Sequence, residues 1–203
     1  MTPRTIVLTG ASDGIGAAAA RRLAERGERL LLVGRSSEKL AAIADPLGAE
    51  SFVADFTRLD DVRALAAWAL ERTDRVDVLA NNAGGILAEQ RITADGHEAT
   101  MQVNHDAHFL LTHLLSDALR AGGASVVNTS SIASRAFGHI DLTDLDNRDY
   151  NATKAYGDAK LANILFTKGL HARFHDQGIS AVAFHPGYIA SNFAGEGRTW
   201  MRY

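Results

Sequence analysis

The sequence has no cysteine among its 203 residues, which excludes disulfides and thiolate metal sites. Long hydrophobic runs are also missing. No window approaches the roughly 20 apolar residues of a membrane span, so no membrane partner is expected. The N-terminus, Met1-Thr2-Pro3-Arg4, runs into the short stretch Ile6-Val7-Leu8 and then into glycines, which is not a signal-peptide pattern. A cytoplasmic location is expected on that ground. Neither sign of charge dominates. A net charge of -3 gives no electrostatic reason to expect nucleic acid as a partner.

The remaining composition, 46% hydrophobic and 22% charged, is that of an ordinary globular chain long enough to bury a core. Short apolar runs alternate with longer amphipathic stretches from end to end. The runs are Thr5–Thr9, Leu30–Val33, Ser51–Ala54, Val76–Ala80, Ser125–Asn128 and Ile179–Phe184. They are apolar on both faces, as parallel strands covered by helices on each side require. Helical patterns occupy Ile15–Arg26, Glu38–Ala44, Leu59–Arg72, His97–Arg120 and Ala152–His175. Leu110, Leu111, Leu114, Leu115 and Leu119 fall on one stripe. This alternation predicts an α/β fold with a doubly wound parallel sheet. No repeat or linker divides residues 1–203, so one domain is expected.

The first strand ends in Thr9-Gly10-Ala11-Ser12-Asp13-Gly14-Ile15-Gly16, and a helix pattern follows at once. Glycines in a strand-to-helix turn let the backbone approach a diphosphate. They also aim the unpaired N–H groups of a helix N-terminus at its charge. The second strand ends in Val33-Gly34-Arg35-Ser36, with no carboxylate to accept from an adenosine 2′-hydroxyl. Arg35 can instead pair with a 2′-phosphate, which favours NADP(H) while leaving NAD(H) possible; equally, it can pack on adenine without discriminating. Asp13 counts against the phosphate reading, because a basic residue there would have helped. Asp55, ending the third strand, can bond the adenine amino group or cap the next helix.

Tyr156 and Lys160 stand at i and i+4, on one helical face. A phenol of pKa ~10 is a poor base at neutral pH, and a nearby ammonium is expected to lower that value. The pair would then exchange a proton with a carbonyl oxygen. A second pair with the same spacing, Tyr150 and Lys154, lies six residues earlier. Tyr150 follows the polar run Asp146–Asp149 and is expected at or before the helix start, lining the pocket rim or packing. Tyr156 is therefore preferred. The fifth strand ends in Asn128-Thr129-Ser130-Ser131, whose hydroxyls can bond a developing alkoxide. Asn81-Asn82-Ala83-Gly84 ends the fourth strand with small residues that permit backbone approach to a ribose. His105, His108 and His113 lie in a leucine-rich helix without an evident further ligand, and neutral hydrogen-bonded imidazoles are expected there rather than a metal.

Together Thr9–Gly16, Asn81–Gly84, Asn104, Ser131, Tyr156/Lys160 and His185-Pro186-Gly187 resemble the short-chain dehydrogenase/reductase family, in family order and over almost the whole chain. Val103-Asn104-His105, His108–Thr112 and Ala155–Asn163 resemble the retinol dehydrogenase and WW-domain oxidoreductase branch. The resemblance implies a Rossmann fold and a Ser–Tyr–Lys centre that moves hydride between nicotinamide and a carbonyl or alcohol. It assigns Ser131 to the substrate oxygen, Tyr156 to the proton, Lys160 to the ribose and Asn104 to a proton-relay water. Gly10, Ser12, Asp13, Gly14, Ile15, Gly16, Arg35, Asp55, Phe56, Asn82, Ala83 and Gly84 would hold the cofactor, with Pro186, Gly187 and Ile189 flanking the nicotinamide. It also implies a homodimer or homotetramer paired through the helices of Leu110 and Tyr156. The family usually continues further. This chain stops sixteen residues after Gly187, so a shortened C-terminal part and substrate wall are expected. Ile132, Phe137, Ile140, Tyr150 and Tyr188 are the expected lining, suited to a moderately hydrophobic small molecule. A nucleotide-binding sensor without turnover is the alternative, with the retained Tyr and Lys against it.

Overall fold

The computed structural model describes residues 2–187, so Tyr188 and Ile189 lie outside the described residues. Six parallel strands form one sheet in the order β3-β2-β1-β4-β5-β6. They are β1 (Thr5–Thr9), β2 (Arg29–Gly34), β3 (Glu50–Val53), β4 (Val78–Asn81), β5 (Ser125–Thr129) and β6 (Ser180–Phe184). The order reverses direction at β1 and β4. A crevice opens there beyond the strand C-termini, where ligands bind in open sheets of this kind.

The pleat divides the core in two. Val7, Leu31, Leu79 and Val126 point to one face and pack under α3 (Leu59–Leu70), α5 (Ala107–Leu114) and α6 (Ser116–Gly122). Ile6, Leu8, Leu30 and Leu32 point to the other, under α1 (Gly14–Glu25) and α2 (Ser37–Leu47). The expected leucine stripe contributes Leu111, Leu115 and Leu119, all fully buried. The two-sided burial read from the sequence holds for the central strands. It fails at both ends of the sheet, at β3, where Glu50, Ser51 and Val53 are exposed, and at β6, where Ser180, Val182 and Phe184 are, because each of these strands has one neighbour among the described residues.

The stretch His97–Arg120 was expected as one helix and is several. Glu98 caps a short α4 (Ala99–Met101) by accepting from Thr100 N and Met101 N. A π turn, Gln102–Asp106, follows before α5, and the chain breaks again at Leu115. A π turn leaves the apolar spacing almost intact, so the sequence pattern could not reveal it. A short α7 (Ala133–Ala136) also lacked a visible signal. The long α8 (Ala152–Phe174) starts after Asn151, whose side chain accepts from Lys154 N. No helix among the described residues is long and apolar enough to cross a membrane.

At Gly157 the segment of α7 and helix α8 meet backbone to backbone. A β-carbon on Gly157 would lie 2.9 Å from Ala133 O and Gly138 N, so only glycine fits. This contact sets the segment after β5 directly against the second turn of α8.

Candidate active site

A cavity of about 800 Å³ runs along the strand ends, from the first glycine turn to Tyr156 and Lys160. Its shape begins with Thr9. Its hydroxyl accepts from Asn82 N at 2.9 Å and Ala83 N at 3.0 Å and donates to Ala80 O, fastening the end of β1 to the end of β4. Gly10 follows with φ +68°, and a β-carbon there would lie 2.8 Å from Ala83 Cα. A β-carbon on Gly16 would collide with the Gly10 carbonyl. The bare backbone of this turn is therefore a geometric requirement, and it leaves a cradle suited to a diphosphate. Asp13 caps α1, accepting from Gly14 N at 2.7 Å. Its other oxygen lies 3.5 Å from Lys39 Nζ, so the acidic charge that seemed adverse in the sequence sits beside a cation.

Ser12, Asp13, Gly14, Ile15, Arg35, Asp55, Phe56, Asn82, Ala83 and Gly84 line this same cavity, together with Pro186 and Gly187. Asp55 does not cap α3. Its carboxylate accepts from Thr57 N and Thr57 Oγ1, both at 2.9 Å, and so shapes the turn at the cavity wall. The Phe56 side chain is buried, its ring edge-on to His108 at 5.4 Å.

The catalytic candidates meet at the far end. Ser130 and Ser131 both border the cavity but differ in partner: Ser130 Oγ donates to Lys160 O at 2.9 Å, whereas Ser131 bonds Tyr156. Lys160 is fully buried, with Nζ 5.4 Å from the Tyr156 ring centre and donating to Thr129 O at 3.1 Å. Asn104 stands one layer behind. Its side-chain oxygen accepts from Gly85 N at 3.2 Å, while its amide nitrogen donates to Gly85 O and Thr100 O, both at 2.8 Å. Its backbone carbonyl receives Asn163 Nδ2 at 3.0 Å and lies 3.1 Å from His108 Nδ1.

Protonation differs in sign from the sequence expectation. Burial pushes the Tyr156 phenol up to about 12, with the Ser131 hydrogen bond working against it. Burial also brings Lys160 down to about 7. The ammonium does not acidify the phenol in this state, because desolvation penalises both charged forms and outweighs their attraction. His108, wholly buried, is held down to about 3 by the same cause and is a neutral imidazole.

The expected lining is correct for Ile132 and wrong for three others among the described residues. Ile140 faces a separate groove between α5 and α8, while Phe137 and Tyr150 line neither the cavity nor that groove. The loop after Ser131 folds away along α8. Ile86, Leu87, Arg91 and Val103 line the cavity instead, and sequence reasoning missed them because the segment after Gly85 has no periodicity. Asn163 was also missed as a site residue, although its place three residues after Lys160 puts it on the same helical face.

Residues 4–202 match the family model described as short chain dehydrogenase. The chain is 42% identical over 194 residues to retinol dehydrogenase 13 of Homo sapiens, a match covering 91% of this chain and 58% of that relative. A crystal structure of an uncharacterized protein from Mycobacterium paratuberculosis superposes with TM-score 0.80 at 38% identity, covering 95% of this chain and 71% of the other. A short-chain dehydrogenase from Sphingobium yanoikuyae in complex with NADPH gives TM-score 0.74 at 28% identity, covering 95% and 73%. The chain thus spans less than two thirds of the length of that human relative.

Proposed function

Because the chain belongs to the short-chain dehydrogenase family, we propose that it is an NADP(H)-dependent oxidoreductase acting on a carbonyl/alcohol pair, with Tyr156 as acid–base. One observation carries the reading. The Ser131–Tyr156–Lys160 group and the glycine cradle share one continuous cavity, so a molecule held by its diphosphate can reach the phenol. A nicotinamide cofactor, when bound along this cavity, would supply or accept the hydride. The chain's own residues do the rest. Ser131 orients the substrate oxygen, and Tyr156 carries its proton across the neutral pH range, the form needed to protonate a carbonyl during reduction. Lys160 stabilises the phenolate left behind, and Thr129 O fixes its position. Asn104 holds the Gly84–Gly85 backbone beside Lys160, and a relay water at Asn104 belongs to the same proposal.

Arg35 is the residue for the cofactor choice, since position 34, where a ribose-binding carboxylate would stand, is glycine. Charge-assisted bonds of about 1.5–3 kcal/mol correspond to roughly 10- to 100-fold in affinity. Arg35→Ala should therefore raise the Kd for NADPH by at least about tenfold. The Kd for NADH should change less than about twofold, because that cofactor has no phosphate to lose. Fluorescence titration of both reduced cofactors measures this, and equal losses for both would refute the 2′-phosphate role.

A cofactor-oxidation screen over ketones, aldehydes and quinones tests the activity itself. Tight NADPH binding with no turnover of any of them would overturn it. The apolar lining from Ile86, Leu87 and Ile132 favours a moderately hydrophobic substrate. A homodimer or homotetramer through the α5/α8 face, where Phe109 and Leu165 are exposed, and a cytoplasmic location complete the proposal. Light scattering and cell fractionation check them; a monomer or recovery in the membrane pellet would reject each in turn.

A further inference from the structure

The chain carries two Tyr-x-x-x-Lys pairs, and the first, Tyr150 and Lys154, has no part in proton transfer as described above. Both of its side chains are nevertheless committed to polar contacts. Tyr150 Oη donates to Leu87 O at 2.8 Å and lies 2.9 Å from Thr100 Oγ1, while Lys154 Nζ bonds Asp158 at 2.5 Å and Asn147 Oδ1 at 2.9 Å. Asn147 is buried and has φ +50°, the left-handed backbone that only a fastened turn holds comfortably. Its carbonyl and that of Asp146 each accept from Gln90 Nε2 at 3.0 Å.

These bonds converge on one segment. The stretch from Gly85 to Arg91 leaves the active-site floor where Gly84 abuts Lys160 Nζ, and it sends Ile86 and Leu87 into the cavity. Among the described residues, Asn104 grips Gly85 through both N and O, Tyr150 grips the Leu87 carbonyl, the 146–147 turn grips Gln90, and Ala99 N donates to the Arg91 carbonyl at 2.8 Å. The Tyr150 anchor is the one attached to the apolar part of the cavity lining, at Leu87.

We infer that Tyr150 is a positioning residue that fixes Ile86 and Leu87 as the apolar rim of the substrate mouth, and so sets which carbonyl compounds enter. The inference rests on the carbonyl/alcohol reading above. Removing the hydroxyl leaves the ring packing in place and frees the Leu87 carbonyl, so the rim loosens while the cradle and the Ser131–Tyr156 pair stay as they are.

The test compares wild type with Tyr150→Phe, Gln90→Leu and Tyr156→Phe, using NADPH and a series of aryl alkyl ketones of increasing bulk. Loss of one hydrogen bond should raise KM for the bulkier ketones by about fivefold in Tyr150→Phe. kcat and the Kd for NADPH should stay within about twofold, since neither depends on the rim. Hydrogen exchange should quicken in residues 85–92 and not in residues 81–84, and Gln90→Leu should reproduce this more weakly. A general weakening of the fold would instead move kcat, cofactor binding and exchange together, and would overturn the proposal. So would unchanged KM and unchanged exchange in an enzyme that Tyr156→Phe silences. Full activity of Tyr156→Phe would remove the functional reading and the rim's role with it, while the exchange data would still report whether Tyr150 holds the loop.

Discussion

Replacing Tyr156 with phenylalanine should reduce turnover by at least about 10²- to 10⁴-fold, the usual range for loss of a general acid. The phenol lines the cavity at the end opposite the glycine cradle and bonds Ser131, so the change removes the proton donor and leaves the diphosphate site untouched. The ring is mostly enclosed, and phenylalanine fills the same space, so stability should change little. NADPH titration should give a Kd within about fivefold of wild type, because the hydroxyl contributes at most one bond to the cofactor. The decisive result is the split between the two measurements. Substantial residual turnover would reject Tyr156 as the acid–base, and parallel loss of cofactor binding would show that the residue holds the nucleotide instead.

Lysine 160 should reveal itself through stability. Its pKa in the fold is about 7, below its ordinary 10.5, so between those values the unfolded chain binds more protons than the folded one. Stability of the cofactor-free protein should therefore rise with pH across that window and be lowest below it. Lys160→Met keeps much of the side chain's volume and removes the buried charge. Its Tm should exceed that of the wild type by about 5 °C at pH 6, a difference that fades toward pH 10.5. Turnover should be lost in the same variant, which sets function against stability at a single buried side chain. Calorimetry at pH 6 and pH 10 measures the difference; equal shifts at both, or a variant less stable at pH 6, would show that the ammonium is not desolvated.

Those two residues also mark where sequence reasoning stops. The alternation of short apolar runs with amphipathic stretches identified all six strands, because a strand covered by helices keeps a short continuous apolar run even where, as in β3 and β6, some of its residues are exposed. The glycine turn and the hydroxyl-rich end of β5 were legible from position, since parallel strands present their C-termini to one crevice, whereas the choice of Ser131 over Ser130 came with the family resemblance. The sign of the Tyr156 shift was not. It depends on how deeply two side chains are buried, and spacing along a helix says nothing about solvent. The rim residues Ile86 and Leu87 were hidden for a related reason: an irregular loop takes its course from distant anchors such as Tyr150, which local pattern does not name. Phe137 and Ile140 misled the reading because the loop carrying them is drawn along α8, where His139 N donates to Asp158 and Lys154 reaches Asn147.

The contact of Gly157 with Gly138 and Ala133 has a mechanical consequence. Side chains between two elements act as springs: they change rotamer, swell with heat and adapt to substitution. At Gly157 backbone meets backbone between the serine-bearing turn and the tyrosine-bearing helix, so the gap between the two hydroxyls should have little compliance. Thermal loosening elsewhere in the molecule should leave that gap nearly constant, and a methyl group at position 157 would be felt as a rigid shift of one hydroxyl relative to the other.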